Sequence, residues 1–147
     1  MKVLFLDFDG VLNSYAYLRR CGEPGLCLDP DRLALLRQII DATGAKIVLT
    51  TSWREHWSPE EPGEIGCIFG GYGLTVFDKT PILREGRERE IQAWLAEHPA
   101  ENYVVLDDRF LSADFLDGHL ILTSNLRDGL DREDARKAIA ILNGGTV

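Results

Sequence analysis

Four short apolar runs constrain the fold of this chain more than any other feature of its sequence. Each run is continuous rather than alternating, which is typical of strands covered on both faces. The runs are residues 3–6, 47–49, 103–106 and 120–122. We therefore predict a buried, mostly parallel central sheet.

Helical patterns separate these runs. The first begins with Asp29 as a cap and Pro30 in the first turn, and its apolar face stops near Gly44. The predicted helices are residues 29–44, 85–97 and 131–144. The Gly- and Pro-rich stretch 58–77 is predicted as loop, short helix and one weak strand around 74–76. This order predicts an α/β fold with right-handed crossovers.

Length and charge limit the function classes. With 147 residues, 45% of them hydrophobic, the chain is predicted to be a single domain, 1–147. A net charge of −8 argues against general attraction to nucleic-acid backbones or anionic membranes. The N-terminal apolar run is interrupted by aspartates after five positions, which is too short for a signal peptide or a membrane span. We expect a cytoplasmic protein that does not enter the membrane.

The cysteines favour a reducing compartment. Cys21, Cys27 and Cys67 are odd in number and lack CxxC spacing. A disulfide framework or a zinc site is therefore not expected. We interpret Cys21 and Cys27 as small apolar fillers.

Polar residues follow three of the predicted strands at their carboxyl ends, where parallel α/β sheets bind ligands. Asp7 and Asp9 follow the first strand and point the same way, because side chains alternate along an extended chain. Gly10 allows the backbone to turn sharply beneath them. Asp107 and Asp108 follow a later strand. We predict that these carboxylates converge at one edge of the sheet.

Such a cluster needs a counter-charge. At about 4 Å, each like-charged pair costs up to about 4 kcal/mol at an effective dielectric constant of 20. Asp7, Asp9 and Asp108 would form three such pairs and cost roughly 12 kcal/mol, comparable with the stability of a whole domain. The cluster must therefore bind protons or a cation, and oxygen ligands of this kind favour Mg²⁺.

Donors near the cluster suit a phosphoryl group. Thr51 and Ser52 follow the second strand, and Lys79 offers a positive charge. An aspartate, a cation and such donors together indicate phosphoryl chemistry. For Trp53 and Trp57, both packing in the core and stacking on a base are open.

The sequence VLFLDFDGVL resembles the first motif of the haloacid dehalogenase-like (HAD) superfamily, and IVLTTS resembles its second. Lys79 is a candidate for the third motif, and VVLDDR resembles the fourth. The paired aspartates are similar to those of the phosphatase branch. The resemblance spans residues 2–122 and implies a three-layer Rossmann-like fold with a mostly parallel central sheet.

The resemblance also implies roles for the aspartates. Asp7 would attack phosphorus and become an aspartyl phosphate. Asp9 would protonate the leaving oxygen and later activate water. Mg²⁺ would be held by Asp7, the backbone carbonyl of Asp9 and Asp108, with Asp107 just behind, through a water.

Further positions follow from the same resemblance. Thr51 would bind the phosphoryl group, chosen over Thr50 on strand alternation and on its placement after the strand. Lys79 would neutralise the phosphoryl group and restrain Asp7, although an arginine at the start of the following helix could reach the same place. These alternatives are Arg84, Arg87 and Arg89. The candidate substrate-binding residues are Gly10, Ser52 and Arg54.

The two segments in which this superfamily inserts cap domains are short here. Residues 11–28 and 53–78 are too few for a full cap, and an open site resembles members that act on bulky phosphorylated substrates. TSWR and GLDREDA resemble the small HAD domains of RNA repair proteins. We predict a Mg²⁺-dependent phosphomonoester phosphatase acting through an aspartyl phosphate. The alternatives are a nucleic-acid end-processing phosphatase or phosphotransferase, and a catalytically silent phosphate-binding module of the same fold.

Overall fold

The computed structural model describes residues 1–22 and 25–145. Its five strands are β1 (Lys2–Leu6), β2 (Lys46–Leu49), β3 (Val76–Lys79), β4 (Asn102–Asp107) and β5 (Leu120–Leu122). Its five α-helices are α1 (Tyr15–Cys21), α2 (Pro30–Thr43), α3 (Gly63–Gly71), α4 (Arg87–Glu97) and α5 (Arg132–Leu142). Two 3-10 helices, Ser52–His56 and Asp114–Leu116, complete the set. Within the described ranges, no helix has both the length and the apolar character needed to cross a membrane.

The strands form one sheet in the order β3-β2-β1-β4-β5, and every neighbouring pair is parallel. This confirms the predicted parallel sheet. Because β1 is central, the residues that follow it lie at the middle of the carboxyl edge, between the residues that follow β2 and β4.

Both faces of the sheet are buried, as the continuous apolar runs predict. In β1, Leu4 and Leu6 belong to one core cluster, and Val3 and Phe5 belong to the other. Residues of α2, α3 and α5 pack on the first face, and α4 packs on the second. The result is the expected three-layer α/β arrangement.

The predicted helix ends are confirmed where capping chemistry marks them. The Asp29 carboxylate accepts a hydrogen bond from the Asp31 backbone N–H, and α2 ends at Gly44 with a φ of 71°. At α5, Asp131 and Asp134 form a reciprocal capping box. These caps fix the helices that cover the first face of the sheet.

The segment between β2 and β3 is more ordered than its composition indicates. It contains a 3-10 helix and α3, and the weak strand expected around 74–76 is instead β3, Val76–Lys79. The strand lies at the edge of the sheet, where only Val76 of its four residues is buried. An apolar pattern therefore marks it poorly. Among the described residues, neither this insertion nor the one after β1 forms a second sheet.

The interpretation of Cys21 and Cys27 as unpaired fillers is wrong. They form a disulfide, with their Cα atoms 6.6 Å apart. Two hydrogen bonds also join the segments on either side of the disulfide: the Tyr17 hydroxyl donates to the Leu28 carbonyl, and the Asn13 side chain donates to the Cys27 carbonyl. Cys67 is exposed and outside the disulfide.

Replacing both cysteines of this disulfide is expected to lower the free energy of unfolding by about 2 kcal/mol, because a short closed loop restricts the unfolded chain. Urea denaturation of the wild-type protein and of the Cys21→Ser/Cys27→Ser variant measures the difference. In excess dithiothreitol the difference should vanish. Equal stability of the two proteins under oxidising conditions would contradict the disulfide.

Candidate active site at the carboxyl edge of the sheet

The register of the central strands places three polar residues side by side. Leu6 pairs with Leu49 on β2 and with Leu106 on β4. The pairing continues one residue further on both sides, because the backbone N–H of Thr50 donates to Leu6 and that of Asp7 donates to Leu106. The residues of this row, here called the carboxyl-edge row, are Thr50, Asp7 and Asp107.

All three members of the row belong to the face of the sheet that α4 covers. Side chains alternate along a strand, so each shares a face with the residue two positions earlier. Those earlier residues, which all lie in the core cluster beneath α4, are Phe5, Val48 and Val105. The first residue of α4, Arg87, therefore stands above this row.

Three carboxylates converge here, and the predicted pair Asp7 and Asp108 is among them. Asp7, Asp107 and Asp108 each offer an oxygen atom, and the three atoms lie within 4.8 Å of one another. Asp7 and Asp107 are buried and Asp108 is half-buried. Asn125 donates to the Asp108 carboxylate at 2.9 Å and holds it in place.

Arg87 partly neutralises this cluster. Its Nη1 atom lies 3.2 Å from Asp7 Oδ2 and 2.8 Å from Asp107 Oδ2. Burial nevertheless raises the pKa of Asp7 to about 7, and the neighbouring carboxylates of Asp107 and Asp108 add to this, whereas Arg87 and the Phe8 backbone N–H lower it. One guanidinium therefore does not balance three carboxylates.

The donor set fits a hard divalent cation. Carboxylate oxygens from separate strands meet within the reach of one ion, and hard divalent cations prefer oxygen ligands of this kind. Asp107 already accepts hydrogen bonds from Arg87 and from the Arg109 backbone N–H. Asp7 and Asp108 therefore have more capacity left for a metal than Asp107 does.

Two polar atoms around Asp7 have unused hydrogen-bonding capacity. Thr50 Oγ1 and Arg87 Nε are both buried without a hydrogen-bond partner in the described part of the chain. Unsatisfied buried polar atoms are costly and rare. A hydroxyl and a guanidinium N–H beside a carboxylate can both donate to an anionic oxygen.

The prediction that the Asp9 carboxylate shares this cluster is wrong, because Asp9 lies outside the three-carboxylate group. Its side chain is exposed and accepts a hydrogen bond from Asn13 Nδ2 at 3.2 Å. Asn13 is fully buried; its Oδ1 atom also accepts from the Gly10 backbone N–H, and its amide donates to the Cys27 carbonyl. Asn13 thus orients the turn that carries Asp9. Nothing in its local sequence distinguishes it from an ordinary turn asparagine.

The structure gives the predicted Thr51 and its neighbour Thr50 different surroundings. The Thr51 hydroxyl accepts from the Trp53 backbone N–H and caps the 3-10 helix Ser52–His56. Thr50 instead lies beside Asp7 in the carboxyl-edge row. The register places Thr50 one residue beyond Leu49, where the chain still pairs with β1.

Lys79 does not occupy the position assigned to it. Its ammonium group donates to the backbone carbonyls of Arg54 and Trp57, at 3.2 and 2.7 Å. Arg87, one of the three alternatives named for this role, contacts Asp7. Since β3 lies two strands away from β1, the first turn of α4 reaches Asp7 more directly.

Arg54, predicted to bind substrate, makes structural contacts with the ends of two strands and with α4. It is buried, and its guanidinium donates to four backbone carbonyls and to the Glu90 carboxylate. These carbonyls follow β2 and β3, so Arg54 ties the two strand ends to α4. The acceptor carbonyls are those of Thr50, Thr51, Thr80 and Pro81. Ser52, the other candidate from this segment, is exposed.

Gly10, predicted to contact substrate, lies directly beneath Asp108. Its φ is 84°, and a Cβ atom there would approach Asp108 Oδ2 to 2.2 Å. A side chain at this position would therefore strain the backbone and displace a carboxylate of the cluster. The close approach explains why a glycine, rather than a residue with a side chain, occupies this turn.

A left-handed backbone conformation costs a non-glycine residue about 1–2 kcal/mol. Gly10→Ala is expected to lower the free energy of unfolding by more than this amount. Gly118→Ala is the matched control, because Gly118 has a φ of 77° and open space around its Cβ position. Thermal unfolding of both variants separates the steric contribution from backbone strain. Equal destabilisation would contradict the close contact with Asp108.

A model of the HAD domain in Swiss Army Knife RNA repair proteins matches residues 3–135. Neither the curated proteins nor the solved structures contain a match to the chain. The matched range contains all three converging carboxylates, Thr50 and Arg87. The chain therefore belongs to this family of HAD domains.

Proposed function

We propose that the protein is a Mg²⁺-dependent phosphomonoester phosphatase with Asp7 as its nucleophile. The observation that carries the proposal is the convergence of Asp7, Asp107 and Asp108 within 4.8 Å at the carboxyl edge of the sheet. Arg87 and Thr50 stand beside Asp7 with unused donors. A nucleophile, a cation site and donors for phosphoryl oxygens are the parts that phosphoryl transfer needs.

In the proposed reaction, a carboxylate oxygen of Asp7 forms a bond to phosphorus while the bond to the leaving oxygen breaks. Asp9 gives its proton to that leaving oxygen and then takes a proton from the water that hydrolyses the aspartyl phosphate. The Phe8 backbone N–H donates to Asp7 Oδ1 at 2.9 Å and fixes the nucleophile. Asp9 is exposed, so both leaving group and water can reach it.

Asp7 and Asp108 would hold Mg²⁺, with Asp107 fixed behind them by Arg87 and the Arg109 backbone N–H. The bound ion would supply positive charge to the phosphoryl oxygens and keep Asp7 ionised near neutral pH. The Arg87 Nε and Thr50 hydroxyl donors would complete the contacts to the phosphoryl group.

We infer a phosphorylated substrate of large size. In the part of the chain that the structure describes, the segments after β1 and β2 carry only short helices, and we infer that they leave the site open to bulky substrates and to water. Access of water favours hydrolysis over transfer to another acceptor. The family description concerns RNA repair proteins, which supports phosphorylated RNA ends as the first substrates to test.

The proposal is tested by phosphate release from p-nitrophenyl phosphate and from 3′- and 5′-phosphorylated oligoribonucleotides. We expect turnover that EDTA abolishes and added Mg²⁺ restores. Failure to hydrolyse every phosphomonoester despite bound Mg²⁺ would overturn the proposal and favour a silent phosphate-binding module.

Asp108→Asn is expected to raise the Mg²⁺ concentration needed for half-maximal activity by about tenfold or more, because one charged ligand is lost. Asp128→Asn is the control, since Asp128 is exposed in the segment after β5. Activity measured over a series of Mg²⁺ concentrations gives both values. A Mg²⁺ requirement that is equal in the two variants would contradict the role of Asp108.

A further inference from the structure

A small cavity lies against the 3-10 helix that follows β2 and takes no part in the proposed reaction. Its volume is about 320 Å³. The described residues that line it are Leu26, Trp53, His56, Glu64 and Ile65. Cavities of this size, mostly apolar and with few polar groups, are typical of small-molecule sites.

Both walls of the cavity are attached to the loops that form the active site. On one side, the Trp53 backbone N–H donates to Thr51 Oγ1, immediately after Thr50 of the carboxyl-edge row. On the other side, Leu26 adjoins Cys27, whose carbonyl accepts from the Asn13 side chain. Asn13 also binds the turn at Gly10. The cavity is therefore at the same edge of the sheet as Asp7.

The lining favours a flat, uncharged ring. The Trp53 and His56 rings are 6.1 Å apart between centroids and tilted by 53°, so they do not stack on each other. Neither Lys nor Arg occurs among the described lining residues, and the one charged group is the Glu64 carboxylate. A second phosphate would be repelled, whereas a heterocycle with amino groups could stack on an aromatic face and donate to Glu64.

The three tryptophans of the chain differ in their surroundings. Trp57 and Trp94 are only 4% and 3% exposed and lie in the two core clusters. Trp53 is half-buried, packs against the edge of the core and lines the cavity. The core therefore leaves part of Trp53 available to a ligand.

We propose that this cavity binds the nucleobase of the nucleotide that carries the scissile phosphate. The inference rests on the proposed phosphatase function, which supplies a phosphorylated nucleotide as the substrate. Trp53 and His56 would recognise the base of that nucleotide. Base stacking on an aromatic side chain is sequence-tolerant, since every base has a π face. Such an enzyme distinguishes a terminal nucleotide with a base from an abasic one, but it discriminates only weakly between the different bases.

The test compares two oligoribonucleotides that differ only in whether the phosphorylated terminal nucleotide carries a base or is abasic. For the wild-type protein we expect kcat/KM to be about five- to a hundredfold higher with the base. Trp53→Leu should bring this ratio close to one, and His56→Ala, which changes an exposed side chain, should lower it. Phe110→Leu, at an exposed aromatic residue after β4, should keep the wild-type ratio.

Binding is also measured without turnover, so that the two proposals can fail separately. The indole N–H resonance of Trp53 should shift when an unphosphorylated oligoribonucleotide is added, whereas that of Trp94, which donates to Asp78, should not. A wild-type base-to-abasic ratio near one, or a Trp53 resonance that does not respond, would overturn the nucleobase site. Loss of phosphatase activity with a responsive Trp53 would overturn only the proposed reaction.

Discussion

Asp7→Asn should abolish phosphate release and, at the same time, make the folded protein more stable. The variant lacks the proposed nucleophile, and removal of such a group lowers kcat by about 10⁴-fold or more in enzymes of comparable mechanism. The gain in stability has an electrostatic cause, because Asp7 is buried beside two other carboxylates.

The sign of the stability change follows from the pKa of Asp7. Burial raises that pKa from 3.8 to about 7, so between these values the folded state binds more protons than the unfolded state. The contribution of Asp7 to the free energy of unfolding therefore falls as the pH rises from about 4 to 7. A shift of this size corresponds to at most about 4 kcal/mol above pH 7. Asparagine does not ionise and avoids this cost.

Urea denaturation of the wild-type protein and of Asp7→Asn, in EDTA between pH 4 and pH 8, measures this difference in the free energy of unfolding. We expect the two stability curves to diverge as the pH rises, with the variant the more stable protein at pH 8. Asp41→Asn, in an exposed ion pair with Arg37 on α2, serves as the control and should follow the wild-type curve closely. A variant that keeps full activity would show that Asp7 is not the nucleophile. Parallel stability curves would contradict the crowded carboxylate site.

The second large effect is expected at Arg54. Arg54→Met removes a buried guanidinium and leaves the Glu90 carboxylate buried without its partner at 2.9 Å. Breaking a buried ion pair from one side costs about 3–5 kcal/mol. Arg54→Met combined with Glu90→Leu should recover part of this loss, because no uncompensated charge remains.

Chemical denaturation compares these variants with Arg37→Met, which breaks an exposed pair and should cost about 1 kcal/mol or less. The experiment also decides between the two interpretations of Arg54. A variant as stable as the wild-type protein but with weakened substrate binding would support a substrate ligand, as the sequence predicted. A large loss of stability would support the structural role of Arg54, in which it joins the ends of β2 and β3 to α4.

The fold could be predicted from the sequence because its strongest signals are continuous. A strand buried on both faces must be apolar throughout, and this identified β1, β2 and β4. The edge strand β5 was recognised from its short apolar run, although only Ile121 of its three residues is buried. The edge strand β3 lacked that signal, because three of its four residues are not fully buried. The disulfide was missed because pairing depends on the distance between the two Cα atoms in the fold, and spacing in the sequence does not report that distance.

Convergence of carboxylates at this edge could also be predicted, since parallel strands present their carboxyl ends there. The membership was only partly right, because Asp107 takes the place that was expected for Asp9. The positively charged side chains around the site could not be placed in the same way. Long side chains reach several Å, so only the packing of α4 shows that Arg87 contacts Asp7 while Lys79 binds backbone carbonyls. The choice between Thr50 and Thr51 depended on a register of one residue, which strand pairing decides and composition does not.

Calorimetric titration of the protein with Mg²⁺ tests the central claim most directly, because the claim is that carboxylates a hundred residues apart share one ion. We predict one Mg²⁺ per chain for the wild-type protein, and binding weakened by about tenfold or more in Asp7→Asn and in Asp108→Asn. Absence of Mg²⁺ binding to the wild-type protein, or binding unchanged in both variants, would contradict the account.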